Sequence, residues 1–345
     1  MYSFTQAIEL TIEAALEQDP SFKVFALGAD YKNGVDGTHG DLPERFPGRL
    51  VDTPASESTI TGMGFGRSLS GLTTLVHHGR AEFALFAADQ IFTQAAKWNY
   101  QFGGNQPAPF TVRIALGRQW GNGPQHTASF MQLLSSVPGL EVYLASSPVM
   151  AHKLLKKAIS SSSPSLFLEP RWLYKTQQEI EPKDEAQEAI EGAAEVLHGG
   201  DVAILTYGEG VVEALKASDL FPNDSFYLID FHSLHIGLPE GIIAKIRSIG
   251  RCVIFDSYCT SGGPLVEVAL GLAQRGVQID IIRPPHVPVP TATSLSSSYY
   301  PNHQDLARCL AAALGAPLAF SELAFEELHL PPTLRLSKTW KIDRS

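Results

Sequence analysis

Glu57 and His126 are the side chains whose surroundings in the sequence most invite acid–base chemistry. Glu57 comes directly after VDTPAS, and the stretch just before it, 49–54, reads as a short extended segment stopped by proline. It comes directly before STITGMGFGRSLSGL, a helix pattern rich in small residues. An acid in a helix's first turn complements the helix dipole, and spacing alone favours that plain reading. The sharper reading is a carboxylate aimed at a ligand. His126 follows the glycine-rich GRQWGNGPQ and opens a helix. The positive helix end disfavours imidazolium there, which leaves a neutral ring suited to proton transfer. His77 and His78 end a strand, where parallel sheets gather function, although a solvated strand end is the better account of the pair. GMGFG (62–66) lacks the dinucleotide glycine spacing and sits inside a helix pattern, so close helix packing explains it better. There is no G-x-S-x-G elbow, and Asp256-Ser257 reads as a plain turn.

The elements that must position these residues alternate. FKVFALGAD, LTTLVHH, APFTVRIAL, LEVYLA and SLFLEP read as strands, with helices at about 3–17, over AEFALFAADQIFTQAAKWNYQF, over HTASFMQLLSSV and at about 148–159. YKNGVDGTHGDLPERFPG (31–48) is loop. A second alternation runs through DVAILTYG, DSFYLIDF, RCVIFDSY and VQIDIIR, followed by a long loop, PPHVPVPTATSLSSSYYPN, and a helix at about 302–314. The fold class is therefore α/β, with two domains, each a mainly parallel sheet covered by helices and each burying its own core. Their expected bounds are 1–175 and 201–335, with a polar, acidic linker at 176–200 that wraps the surface and a tail at 336–345.

With 345 residues and a formal net charge of −10, the chain lacks the basic face a nucleic-acid binder needs. No apolar run of about 18 residues predicts a membrane span, and the N-terminal MYSFTQAIELTIEAALEQDP reads as an amphipathic helix, not a signal or transit peptide. Cys252, Cys259 and Cys309 form no C-x-x-C pair, which fits a reduced, cytoplasmic setting and no zinc site.

Taken together, DTPASE, Gly62 and Gly66, SGL at 70–72, Asp89-Gln90, AAKWNYQFGG and PFTVRIALGRQWGNGPQHT resemble the β-subunit of thiamine-diphosphate-dependent 2-oxoacid dehydrogenase E1. PGLEVYLASSPVMAHKLLKKAI and SPSLFLEP continue the resemblance, and HGGDVAILTYG and IDFHSLHIGLP carry it into the second domain. It implies a transketolase-like pyrimidine-binding domain followed by a transketolase C-terminal-like domain. It implies that Glu57 hydrogen-bonds N1′ of the cofactor's aminopyrimidine, favouring the tautomer that activates the thiazolium for attack on a 2-oxo acid. Phe83 would pack on the aminopyrimidine, Gly79 would lie beside the cofactor, and His126 would handle protons. The resemblance places the pyrophosphate and Mg²⁺ on an α-subunit in an α₂β₂ heterotetramer, and a lipoyl E2 as acyl acceptor. No metal is expected to be held by this chain, apart from a structural K⁺ near Ala158 and Ser161, where Ser161 replaces the family's acid.

Other departures fall on the substrate side. Ala29 and Asp30 stand where the family carries two acids, His77 stands where a glutamate is common, Gly79 stands where a Met or Gln touches the cofactor region, and Arg80 stands where a neutral residue is usual. Arg80, His78 and Asp30 are the substrate-side candidates. Arg80 would either hold an extra carboxylate or phosphate or be a solvated surface cation. The expected activity is decarboxylation of a 2-oxo acid with acyl transfer to a lipoyl domain. The alternatives are a two-subunit ligase or ketol transferase that forms C–C bonds, and a non-catalytic scaffold.

Overall fold

Apolar residues at helical spacing give the first helix, Phe4–Gln18, a buried stripe of Phe4, Ile8, Ile12 and Leu16. Ser3 and Gln6 close a capping box at its start. The helix packs along the helix Pro148–Ser160, where Thr11 Oγ1 and His152 Nδ1 share a hydrogen bond of 2.8 Å. The computed structural model describes residues 1–118, 122–180, 192–317, 334–337 and 340–343.

The first sheet has six strands, all parallel, in the order Leu50–Asp52, Lys23–Ala26, Thr74–His78, Phe110–Leu116, Ser165–Pro170 and Glu141–Leu144. Both faces of its central strands are buried, which explains their nearly unbroken apolar runs. The second sheet has five strands, in the order Gln278–Ile282, Arg251–Phe255, Val202–Thr206, Phe226–Asp230 and Ala194–His198, and only the last is antiparallel. A third, small sheet joins Tyr2–Ser3, Gln177–Gln178, Arg335–Leu336 and Ile342–Asp343. The expected linker is thus built into sheets at both ends, while its middle, 181–191, lies outside the described residues. Residues 318–333 lie outside the described residues too, and the expected tail at 336–345 takes part in a short hairpin with Arg335 in the small sheet.

Each sheet has apolar packing of its own, around Phe4, Ile12, Val24 and Leu154 on the first and around Ile204, Val211, Val253 and Leu306 on the second, and the two also share a core at their junction. One apolar cluster runs from Val76, Val112 and Leu144 under the first sheet to Leu205, Ile229 and Phe231 under the second. The reason is backbone pairing at the junction. The Leu144 N–H donates to the His232 carbonyl (2.9 Å), and the Leu234 N–H donates to the Val142 carbonyl (2.8 Å). Ser146 donates to the Asp230 carboxylate at 2.5 Å in the same buried seam. Burial pushes the Asp230 carboxyl up to about 7. Its folded pKa then lies above its unfolded value, so the folded state keeps a proton that the unfolded chain releases. This contribution is full below the unfolded pKa and is lost as pH rises towards about 7. Asp230→Asn keeps the neutral form at every pH. In urea unfolding at pH 5 and pH 8, its stability relative to wild type is expected to rise with pH by up to roughly 1.4 kcal/mol per pKa unit crossed.

Three local expectations change. AEFALFAADQIFTQAAKWNYQF is helical from Ala81 to Gln101, but it passes through 3₁₀ and π segments. HTASFMQLLSSV is not one helix: Pro124–Thr127 and Met131–Ser135 are separated by 128–130. The break has a cause, because the Ala128 N–H donates to the Glu82 carboxylate (2.6 Å) instead of to a helical carbonyl. The long loop after 283 contains the helix Thr293–Tyr299.

The helix Glu57–Ser68 crosses the first sheet at Gly64. A Cβ there would sit 2.6 Å from Val76 Cγ2 and 3.1 Å from Phe110 Cε2, whereas one on Gly66 would meet open space. Close packing therefore accounts for Gly64 and not for Gly66. Gly64→Ala is expected to destabilise the isolated chain by about 1–3 kcal/mol through overpacking, less the helix propensity it gains. Gly66→Ala is expected to stabilise it by about 0.5–1 kcal/mol, because only the propensity changes. Denaturant midpoints of the two variants against wild type check the pair of signs.

Candidate functional site

Ligands in open parallel sheets bind outside the carboxyl ends of the strands. Here the ends of Lys23–Ala26, Leu50–Asp52 and Thr74–His78 gather the loop 27–41, the turn before Glu57 and residues 79–83 around a cavity of about 210 Å³. Asp52 ties two of these pieces together by accepting from the Gly28 N–H (2.5 Å) and the Thr53 N–H (2.9 Å). Pro54 then ends the strand, and Glu57 opens the next helix, half-buried, with its side chain lining the cavity. The Ser56 side chain does not cap this helix. Its hydroxyl bonds Thr59 instead, so Glu57 is the acid at the helix start.

Phe83 also lines the cavity. Its ring meets the His126 ring edge-on at 5.7 Å, and the Arg80 guanidinium lies 5.9 Å from its centroid. His126 Nδ1 is buried without a hydrogen-bond partner. Glu82, which sequence reasoning missed, braces this group: it accepts from Ala128 and interacts electrostatically with His126 and Arg80. Burial raises its carboxyl above the ordinary value, against the pull of the Ala128 N–H, His126 and Arg80.

His77 and His78 are not solvated. Both are buried, because the helix Glu57–Ser68 covers His78 and the loop that carries Asp36 and His39 covers His77. His78 Nε2 pairs with Thr61 Oγ1 at 2.9 Å, and burial drops its pKa to about 3, so it is neutral. His77 Nε2 sits 3.4 Å from Glu169 and 3.5 Å from Asp36. Beneath it, Arg113 makes a bidentate pair with Glu169 (2.9–3.1 Å), and both side chains are fully buried. Burial alone would lift the Glu169 carboxyl, but Arg113 and His77 hold it down to about 2. Asp36 Oδ1 pairs with Arg171 at 2.9 Å, and a Cβ on Gly79 would approach Asp36 Oδ2 to 3.2 Å. His39 completes the lining. It packs so tightly on Gly34 that a Cβ there would lie 2.5 Å from Nδ1, and Gly34 has φ +61°. Burial, then the charges of Arg113 and His77, lower His39 to about 3.

Glu57, Phe83, Gly79, Arg80 and His78 thus share one cavity, with His126 against its Phe83 wall. Asp30 is exposed and does not line it; Asp36, His39 and Arg171 do. Their signal in the sequence was faint: loop residues among glycines at 34, 37 and 40, each of which takes a positive φ. Asp256 is a turn clamp, accepting from Tyr207 Oη, Tyr258 N and Cys259 N at 2.7–2.9 Å. Near the expected K⁺ position, the Ala158 carbonyl accepts from Thr111 Oγ1 (3.1 Å) and the Ser161 N–H (3.3 Å). Among the described residues no three His, Cys, Asp or Glu side chains gather as a metal site, and no helix is long and apolar enough to cross a membrane.

Residues 1–177 match the family model for the transketolase pyrimidine-binding domain. The chain is 29% identical to the acetoin:2,6-dichlorophenolindophenol oxidoreductase subunit beta of Cupriavidus necator, over 88% of this chain and 95% of the relative. It is 30% identical to the 2-oxoisovalerate dehydrogenase subunit beta of Bacillus subtilis, over 79% and 84% of the two chains. It is also 30% identical to a mitochondrial pyruvate dehydrogenase E1 subunit beta-1 of Arabidopsis thaliana, over 88% and 86%. A solved structure of a split-gene transketolase, an inactive beta4 tetramer, has the same fold, with a TM-score of 0.72 and 18% identity over 91% of this chain and 98% of that one. The chain belongs to the transketolase-like pyrimidine-binding family, as a divergent member of its 2-oxoacid dehydrogenase E1 β-subunit branch.

Proposed function

We propose that this chain supplies the aminopyrimidine half of a thiamine-diphosphate site in a 2-oxoacid dehydrogenase-like E1 enzyme. The observation that carries the reading is Glu57 at the carboxyl end of a parallel sheet, in one cavity with Phe83 and beside the Phe83–His126 pair. The donor set fits the group. A carboxylate suits a ring nitrogen that must share a proton, an aromatic face suits a flat heterocycle, and Ile60, Val35, Pro54 and Ala55 supply apolar wall. When bound, thiamine diphosphate supplies the carbon nucleophile and electron sink that decarboxylation of a 2-oxo acid requires. Glu57 would hold the proton at the pyrimidine nitrogen, and Phe83 would orient the ring. His126, buried at Nδ1 and braced through Ala128 by Glu82, would hold or move a proton on the substrate side.

The remainder of the assembly belongs to the same proposal. An α-type partner holds the pyrophosphate and Mg²⁺ in an α₂β₂ heterotetramer, a lipoyl domain takes the acyl group, and K⁺ sits near Ala158 and Ser161. Glu57 is only half-buried in this chain, so the partner must complete its enclosure. A second reading has one observation in its favour. The cavity wall beside Glu57 carries Asp36, His39, His77 and Arg171, which suits a polar carbonyl acceptor and a C–C bond-forming reaction. The test is co-expression with the α-type partner, titration of thiamine diphosphate with Mg²⁺ by calorimetry, and CO₂ release from a panel of 2-oxo acids. Cofactor binding by the pair with CO₂ release supports the proposal, and the products separate lipoyl acylation from a new C–C bond. A well-folded pair that binds no cofactor leaves only the scaffold.

A further inference from the structure

A second cavity, of about 280 Å³, lies at the carboxyl end of the second sheet and shares no lining residue with the cavity beside Glu57. Its place follows from topology. From Val202–Thr206 the chain moves to Phe226–Asp230 on one side, then returns past it to Arg251–Phe255 on the other. Loops leaving two such strands diverge, and the crevice between them is where open parallel sheets take ligands. Glu209, three residues past the first of these strands, and Ser257, two residues past the last, both line the cavity. Pro124, Thr127 and Phe130 wall it from the first domain.

The polar groups are few. Ser257 is 3% exposed, and its Oγ has no hydrogen-bond partner in the fold. A buried hydroxyl left in that state is costly until something bonds it. Glu209, also buried, accepts from Arg118 at one carboxylate oxygen (3.2 Å) and from Tyr258 Oη at the other (2.6 Å). Each carboxylate oxygen has two acceptor sites, so one on each remains for an N–H. Arg118 balances the Glu209 charge without lining the cavity, and its guanidinium lies 4.7 and 5.1 Å from the Trp172 and Tyr300 ring centroids. Among the described lining residues none is a lysine, arginine or histidine, so an anion would meet no counter-charge. The remaining wall includes the rings of Phe130, Tyr258 and Tyr299. Phe130 has φ +49°, a left-handed conformation that a bulky residue keeps only where its surroundings fix it. Aromatic walls favour flat rings.

We propose that this cavity is a second ligand site, which takes an uncharged, flat nitrogen heterocycle bearing an amino or amide group. Its N–H₂ donates to Glu209, a ring nitrogen or carbonyl oxygen accepts from Ser257, and the aromatic side chains enclose the ring. The site does not depend on the thiamine reading. It adjoins the same machinery, because the helix Pro124–Thr127 walls this cavity and carries His126 to the Phe83 side.

Calorimetry on the full chain with its α-type partner tests this with two matched pairs of probes. Nicotinamide and nicotinate differ in charge, and adenosine and purine riboside differ by the amino group. Nicotinamide or adenosine is expected to bind about tenfold or more tighter than its matched partner. Which of the two binds better says whether one ring or two fill the cavity. Ser257→Ala is expected to weaken that probe about tenfold while leaving Tm unchanged, because the hydroxyl has no bond in the fold to lose. Glu57→Gln is expected to leave its affinity unchanged. Unchanged affinity in Ser257→Ala overturns the proposal, and a loss in Glu57→Gln alone places the probe in the other cavity. Equal binding within both pairs, or no binding of nicotinamide and adenosine, overturns it as well.

Discussion

Glu57→Gln in the assembled enzyme is expected to cut the decarboxylation rate by roughly 10²–10⁴-fold while leaving the fold intact. Glutamine still offers a hydrogen bond to a ring nitrogen, but it cannot share a proton with it. The loss therefore falls on the rate and not on recognition of the cofactor. The structural cost is small, because Glu57 is half-buried at a helix start and its other contribution is an acid near the helix dipole, about 0.3–1 kcal/mol. The measurement is CO₂ release alongside a calorimetric affinity for thiamine diphosphate and a thermal melt. A variant that melts with wild type, binds cofactor and releases almost no CO₂ assigns the proton role. A variant with wild-type CO₂ release returns Glu57 to helix-start support, the reading that spacing alone favours. His126→Ala in the same assay separates the two proton sites: a loss that depends on the 2-oxo acid used places His126 at the substrate.

How much of this was legible follows from what each residue answers to. The strands and the position of Glu57 answer to local pattern: apolar runs, a proline stop and an acid at a helix start. His77 and His78 answer to topology, and there local reading misleads. Two histidines closing a strand look solvated until the helix Glu57–Ser68 is seen to lay Thr61 on His78 and the loop to lay Asp36 and His39 against His77. Asp36 and His39 answer to nothing local at all. They sit in a polar, glycine-rich loop that folds back over the strand ends, and only the tertiary structure shows them inside. The Ala194–His198 strand was hidden for the opposite reason: it is an antiparallel edge strand with mixed exposure, so its polar alternation resembles the linker around it. One signal stood in plain view: an arginine inside FTVRIAL and a glutamate inside SLFLEP. A charge in each of two otherwise apolar parallel strands is tolerable only if the two meet.

They do meet, and breaking the pair is expected to cost more stability than any other single change considered for this chain. In Glu169→Gln the Arg113 guanidinium keeps its charge at 0% exposure but loses the neutralising carboxylate and one of its two acceptor oxygens, leaving it the uncharged amide oxygen and Thr38 Oγ1 at 3.1 Å. Removing one partner of a buried pair costs about 3–5 kcal/mol, a large share of the roughly 5–15 kcal/mol that holds a domain folded. Two further tests separate this account from a simple packing defect. In the double variant Arg113→Met/Glu169→Gln the orphaned cation is gone, so the loss is expected to be smaller than the sum of the single losses. The pH dependence also has a fixed sign. Arg113 and His77 hold Glu169 down to about 2, below its unfolded value, so its contribution is full above that unfolded value and is lost as pH falls towards about 2. Wild type should therefore lose stability over that acid range while Glu169→Gln loses less, as followed by urea midpoints. The effect reaches the candidate site as well. Arg113 anchors Thr38, and Tyr174 and His77 lean on Glu169, so the loop that carries Asp36 and His39 is tied to the sheet through this one pair.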